Sequence, residues 1–400
     1  MPIFGTHYGI GTKMPDKILI IDDSVENRQL LLRTLGKAGY EIAEAGDGKE
    51  GLTQAVELLP ELILLDIVMP ELDGYQVCEI LKKDLRTADI PIIFLSAKTA
   101  TKDKIKGLEI GGVDYITKPF DRSEVLARVQ TQLKIRRLMK ELLDKQKRLE
   151  EDLRAAATIQ ETLLPSNLPA RPELDIAWKF LPCDPIGGDI FNVVPLDDTH
   201  LGFYMLDVSG HGVPSAMVTV SVAQLMTPHS GYLKKRVPSP PFYQIVSPTE
   251  VLMALDEEYP FERFNKFFTI VYLILDIPLK KIVYSSAAHP APLLLHWDGG
   301  LELLDKGGAI IGLNGVVPFE QEERQILHGD KVIFYTDGVV EYLNREEEPF
   351  GTERLYAMVQ RMHQRPIGEI LDAMYDSLMA FGRQAKIQDD ISLLGIEFKQ

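Results

Sequence analysis

Cysteine is scarce in this 400-residue chain: two thiols, Cys78 and Cys183, cannot make a disulfide framework. Long apolar runs are missing too. None approaches the roughly 20 residues that span a bilayer, and residues 1–15 hold no apolar stretch of signal-peptide length. These absences lead us to expect a reducing, cytoplasmic setting and no membrane partner. Positive charge is the third shortage, with 43 Lys and Arg against 59 Asp and Glu and a formal net charge of −16. Such a surface repels phosphate backbones, so nucleic acid is not an expected partner. It suits a protein that gathers divalent cations in carboxylate clusters. Apolar residues are plentiful at 45%, enough for two domains and a connector.

Residues 1–15, with Gly5, Gly9, Gly11, Pro2 and Pro15, read as a flexible tail. In 16–130, short apolar runs (Ile18–Ile21, Leu62–Leu65, Ile92–Leu95) alternate with helix-like stretches (Asn27–Ala38, Gly48–Leu59, Gly74–Lys83). That pattern predicts a doubly wound α/β domain around a parallel sheet. Residues 131–164 contain neither Gly nor Pro. Ile135, Leu142, Leu149, Ala156 and Leu163 recur every seven residues, with Met139, Gln146, Leu153 and Gln160 on a companion seam. This heptad pattern predicts a coiled coil that dimerises the protein, with Gln146 fixing register. In 165–400, prolines break the helix and many alternating apolar segments follow, predicting a strand-rich α+β domain. Pro228–Pro248, with five prolines, reads as a surface flap, and we expect it to reach the cleft and set specificity.

The first strand ends in Asp22-Asp23 and the third in Asp66. Carboxylates at the C-terminal ends of parallel strands converge in the crevice where such sheets bind ligands. Three acids there call for a hard cation such as Mg2+, and one can then act as nucleophile toward a phosphoryl group. Asp66, in mid-sheet, is the candidate. Ser96 closes another strand, and its hydroxyl can bond a phosphoryl oxygen. Lys118 can balance the added charge, and Lys118-Pro119 suits a cis peptide bond.

Together with Met69-Pro70, Asp114-Tyr115 and Pro119-Phe120, these residues resemble the receiver domain of bacterial response regulators. The resemblance implies phosphorylation of Asp66 by a sensor histidine kinase. It implies Mg2+ held by Asp22, Asp23, Asp66 and the Val68 carbonyl, and a switch formed by Ser96, Tyr115 and Lys118.

The second part of the chain sets isolated aspartates beside apolar strands and glycines: Gly187-Gly188-Asp189, Asp207-Val208-Ser209-Gly210-His211-Gly212, Thr336-Asp337-Gly338 and Gln388-Asp389-Asp390. Most have no Lys or Arg beside them. Oxygen-only ligation of Mg2+ or Mn2+ follows, and His and Cys lack zinc spacing. Two such ions can activate a water and clamp a phosphate.

With Ile159-Gln160, Leu163-Leu164-Pro165, Phe268-Thr269, Ala288-His289-Pro290 and Glu341, these segments resemble the PPM-type serine/threonine phosphatases of the SpoIIE/RsbU-like branch. The resemblance implies an αββα sandwich with two Mn2+ or Mg2+ ions. Asp207 would bind both ions, the Val208 carbonyl one of them and Asp337 and Asp389 the other, and Asp189 would contact the cluster directly or through water. Asp390 and His211 are expected behind the ligands, with His211 and His289 structural and Glu341 a local cap. Asn192 stands where the family commonly has Asp, which leaves an outer ligand in doubt.

The resemblance further implies a phosphoserine or phosphothreonine protein substrate, in this branch often a STAS-type anti-sigma-factor antagonist. The coiled-coil seam ends at Gln160, expected to act as the linker switch between Asp66 and the metal site. The alternatives are a sequestering regulator without turnover and a hydrolase of small phosphorylated metabolites. No helix-turn-helix signature follows the receiver.

Overall fold

The computed structural model describes residues 15–96, 101–165, 168, 171–383 and 385–399, with the side chains of 101–104 left out. Apart from Pro15, the tail expected over 1–15 lies outside the described residues. The chain divides into two compact units after Arg148.

The first unit holds strands β1 (Lys17–Ile21), β2 (Glu41–Ala45), β3 (Leu62–Asp66), β4 (Ile92–Ser96) and β5 (Asp114–Thr117). All pair in parallel, in the order β2-β1-β3-β4-β5. Helices α1 (Val25–Gly36), α2 (Gly48–Leu58), α3 (Gly74–Lys83) and α4 (Thr101–Glu109) connect them. Apolar side chains of alternating strand residues enter two separate cores, Leu19, Ile63 and Phe94 in one and Ile18, Leu64 and Ile93 in the other. Both faces of the sheet are therefore covered, as a parallel sheet requires. Local signals start the helices. Ser24 caps α1, Asp47 caps α2, and Asp73 forms a capping box with Gln76 at α3.

Helix α5 (Arg122–Glu161) runs for 40 residues. The Asp121 carboxylate accepts from the amides of Ser123 and Glu124 at its start. The sequence divided this stretch at 130/131, but one helix passes through, because nothing between Arg122 and Glu161 breaks it. It stops three residues short of 164, and Leu163-Leu164 lie in a turn.

The second unit contains β6 (Leu174–Leu181), β7 (Ile190–Pro195), β8 (His200–Val208), α6 (Val213–Leu225), β9 (Lys234–Arg236), β10 (Tyr243–Ile245), α7 (Pro248–Glu258), α8 (Phe261–Phe264), β11 (Phe268–Asp276) and β12 (Lys281–Ala287). There follow β13 (Leu293–Leu295), β14 (Leu301–Leu303), β15 (Gly307–Gly308), β16 (Glu322–Gln325), β17 (Lys331–Tyr335), α9 (Asp337–Val340), α10 (Thr352–Arg361), α11 (Ile367–Gly382) and β18 (Ile391–Phe398). One sheet runs β15-β12-β11-β8-β7, with β16 also on β12; the other runs β14-β13-β17-β18-β6. Alternation along β17 explains the layering. Val332 and Phe334 join the core shared with β8 and β11, while Ile333 and Tyr335 pack with Leu355, Leu371 and Leu378 of α10 and α11. Helices α6 and α7 pack on the first sheet. This is the expected αββα sandwich.

The Pro228–Pro248 flap corrects an expectation. It forms the hairpin β9–β10, whose root is fastened to the β7–β8 turn: Tyr243 donates to Asp197 at 2.9 Å, and Lys234 donates to the Leu196 carbonyl at 2.6 Å while lying over the Tyr243 ring. Asp189 and Asp207 stand at the other end of the β7–β8 pair, about 20 Å away at strand rise. Local proline content marks a loop but carries no information about where it docks.

Candidate functional sites

In the first unit, Asp22 and Asp23 follow β1, Asp66 ends β3, Ser96 ends β4 and Lys118 follows β5, so all five stand at the C-terminal edge of the sheet. Carboxylate oxygens of Asp22, Asp23 and Asp66 lie within 4.8 Å of one another, the only such trio among the described residues. The Lys118 ammonium reaches Asp22 at 2.8 Å and Asp66 at 2.6 Å. Burial pushes the Asp66 carboxyl up; Lys118 opposes this and Asp22 adds to it. Burial alone would pull Lys118 down, but its hydrogen bonds to Asp22 and Asp66 outweigh it and hold its pKa above the ordinary lysine value. Three carboxylates converge and one ammonium pairs with only two of them, so the set fits a hard cation. Ser96 is buried, Tyr115 half-buried and Val68 exposed, with the Val68 amide donating to Asp66. The Lys118-Pro119 bond is cis.

Sequence reasoning passed over the supports of this pocket. Asn27 and the Ser24 amide donate to the Asp22 carboxylate, and Arg28 to its carbonyl at 2.7 Å. A Cβ on Gly74 would lie 2.2 Å from the Asp66 carbonyl, so only glycine lets α3 start behind Asp66. The Asp73-Gly74 dipeptide was the available signal.

In the second unit, Asp189 precedes β7, Asp207 lies near the end of β8, Asp337 follows β17, and Asp389-Asp390 precede β18. Antiparallel pairing of β7 with β8 and of β17 with β18 brings all five to one end of the two sheets. Bonds across the sheets lock them: Ser392 donates to Asp189 at 2.5 Å, and the Asp189 amide donates to Asp390 at 3.2 Å. Asp390 also accepts from the Cys183 amide at 2.9 Å. Its carboxylate is thus committed to backbone donors behind the cluster. Glycines make the approach possible. A Cβ on Gly187 would meet the Asp390 carboxylate at 2.1 Å, one on Gly188 the Val208 carbonyl at 2.7 Å, and one on Gly338 the Asp390 carbonyl at 2.1 Å.

Burial and then the charges of Asp337, Asp389 and Asp390 push Asp207 up to about 7. Burial likewise raises Asp189, helped by Asp207, and Asp337 and Asp389 are raised by burial and by neighbouring acids. Among the described residues, no ion pair with Lys or Arg neutralises these aspartates. Crowded acids without a counter-charge fit a site for hard divalent cations. Their oxygens are spread more widely than those of the receiver trio.

The other expected residues fall as follows. The His211 ring lies 2.8 Å from Asp184. His289 is buried, bonds Thr269 at 2.8 Å, and burial lowers it to about 3, which keeps it neutral. Glu341 is the C-cap of α9. Asn192 donates to the Leu163 carbonyl at 2.9 Å and so fastens the segment after α5. Gln160 departs from its heptad assignment. It is buried against its own domain, donating to the Gly187 carbonyl at 2.8 Å and accepting from the Gly187 amide at 3.2 Å. By contrast Ile135, Met139, Leu142 and Leu149 are exposed.

The family model for Stage II sporulation protein E (SpoIIE) matches residues 197–399, just over half of the chain. The chain belongs to the SpoIIE family. Its SpoIIE match begins after Asp189, so Gln160, Asp189 and Asn192 stand on geometry alone. The response regulator receiver domain matches residues 18–130. The SiaA-PP2C domain of Pseudomonas aeruginosa superposes with a TM-score of 0.54 at 21% identity, covering 64% of this chain and 99% of that domain, which establishes the shared fold. Among curated relatives, the DNA-binding dual master transcriptional regulator RpaA of Synechocystis is 48% identical over 118 residues, 30% of this chain and 49% of RpaA. The DNA-binding response regulator MtrA of Mycobacterium leprae is 41% identical over 121 residues, 30% of this chain and 52% of MtrA. The chain spans about half the length of the curated relatives it matches. No helix among the described residues is long and apolar enough to cross a membrane.

Proposed function

We propose that this chain is a two-component response regulator whose output is a metal-dependent protein serine/threonine phosphatase. The observation that carries the reading is the set of converging acids in the SpoIIE-family domain, with Asp207 raised to about 7 and no Lys or Arg paired with the cluster. Asp207, Asp337, Asp389 and the Val208 carbonyl would hold two Mn2+ or Mg2+ ions, with Asp189 buried beneath Asp207. Metal pairs of this kind supply an activated water and a clamp for phosphate. The residues themselves do the positioning. Asp390 fixes the Cys183 and Asp189 amides, and Ser392 orients Asp189.

In the receiver, Asp66 would take a phosphoryl group from a histidine kinase, with Mg2+ held by Asp22, Asp23 and Asp66. Lys118 already bonds Asp66 and would follow the added charge. Helix α5 would carry the signal. Gln160, in its last turn, brackets both backbone groups of Gly187, two residues before Asp189, so a turn of the helix pulls directly on the aspartate loop. The exposed Ile135, Met139, Leu142 and Leu149 would pair two chains as a coiled coil. The substrate class we assign is a phosphorylated STAS-type protein.

The test is Mn2+-dependent release of phosphate from an aryl phosphate and from a phosphoserine peptide. Activity lost in EDTA and in Asp389→Ala supports the assignment. A wild-type chain that binds Mn2+ without turning over either compound would instead be a sequestering regulator.

A further inference from the structure

A buried carboxylate in the SpoIIE-family domain serves a loop rather than the metal cluster. Asp256 lies in α7, near the C-terminal end, where the helix dipole disfavours negative charge. It accepts from the Gly312 amide at 2.7 Å and the Gly315 amide at 2.5 Å. The loop is tied at both ends as well. Ile311 pairs with Phe268 before it, and the Glu320 amide donates to the Gly307 carbonyl after it. Held rigid in this way, the loop presents Leu313, Val316 and Val317 to solvent, Val316 with 73% of its surface exposed. Ordering three apolar side chains in water stabilises nothing in the free chain.

The loop adjoins the aspartate turn. A Cβ on Gly312 would lie 3.5 Å from the Cβ of Phe267, which is also exposed. The Phe267 carbonyl accepts from the Ser209 amide at 2.9 Å, and its amide donates to the Ser209 hydroxyl at 3.2 Å. Ser209 is two residues past Asp207. Lys266 donates to the Ser209 carbonyl at 2.7 Å, matched to a carbonyl rather than to a carboxylate. Close approach and hydrogen bonds therefore link the apolar loop, the Lys266 ammonium and the turn that follows Asp207.

We infer that Phe267, Leu313, Val316 and Val317 seat apolar residues flanking the phosphorylated side chain of a protein substrate, with Lys266 supplying complementary charge. The inference rests on the phosphatase reading and narrows its substrate class. A phosphoserine in an apolar segment is favoured over one in a polar segment or on a small metabolite.

The experiment uses the full chain with Mn2+, p-nitrophenyl phosphate, and two phosphoserine peptides that differ only in Leu/Val or Ser/Asn flanks. Wild type should favour the apolar-flanked peptide at least tenfold in kcat/KM. The double substitution Leu313→Asp, Val316→Asp, at exposed positions that leave the core untouched, should bring that ratio to within twofold of unity. Leu279→Asp, exposed in the β11–β12 turn, should keep the preference. Equal rates on both peptides with p-nitrophenyl phosphate still hydrolysed, or a preference surviving the double substitution, overturns the inference and leaves the phosphatase reading standing. No turnover of any of the three compounds removes both.

Discussion

Replacing Asp207 by Asn removes one charge from the crowded acid cluster. In the metal-free chain the folded state holds a proton on Asp207 up to about pH 7, whereas an unfolded aspartate releases it near 3.8. The folded state therefore binds more protons between these values, and stability is lost as pH rises from about 4 to about 7. At about 1.4 kcal/mol per pKa unit, the burial and crowding of Asp207 cost the SpoIIE-family domain up to about 4 kcal/mol at pH 8, and less than half of that at pH 5. Asp207→Asn should accordingly raise the unfolding midpoint in EDTA strongly at pH 8 and weakly at pH 5. Both tryptophans, Trp178 and Trp297, lie in this domain, so fluorescence-detected urea unfolding of the whole chain reports it alone. Adding Mn2+ should stabilise wild type more than the variant. A variant less stable than wild type at pH 8, or a gain equal at both pH values, would refute a repelling carboxylate cluster.

Three other substitutions probe the supports. Gly338→Ala puts a Cβ 2.1 Å from the Asp390 carbonyl and should cost on the order of 2–4 kcal/mol in the same unfolding assay, with Mn2+-dependent turnover lost. Gln160→Ala leaves the buried Gly187 amide and carbonyl unpaired; it should cost about 2 kcal/mol and uncouple phosphatase rate from Asp66 phosphorylation, measured as turnover with and without a phosphodonor. Leu142→Glu with Leu149→Glu, both exposed on α5, should abolish the proposed coiled-coil dimer in sedimentation equilibrium while leaving the urea midpoint unchanged.

The strand-end acids were legible because their spacing is tied to topology. Asp22, Asp66 and Ser96 each follow a short apolar run, Lys118 comes just after β5, and parallel pairing sends every strand's end to one edge. In the second unit Asp207 and Asp337 stand at the exit of apolar strands and Asp389 at the entry of one, and antiparallel pairing brings those ends together. What escaped depends on side chains whose patterns fit two structures. A glutamine at a heptad position suits a coiled-coil seam as well as a domain contact, and only the position of Gly187 decides between them for Gln160. Asn192 looked like a weakened ligand, yet its amide serves the Leu163 carbonyl. Asp256 carried no signal, since its partners are two glycine amides more than 50 residues away. The hairpin β9–β10 was visible as a loop but not as one docked on Leu196 and Asp197.

Control of the proposed phosphatase by the receiver would show in the Mn2+-dependent rate on a phosphoserine peptide, measured with and without a small-molecule phosphodonor, in wild type and in Asp66→Ala. A rate that changes with the donor in wild type and stays fixed in Asp66→Ala is the expected result. Identical responses in the two proteins would contradict it.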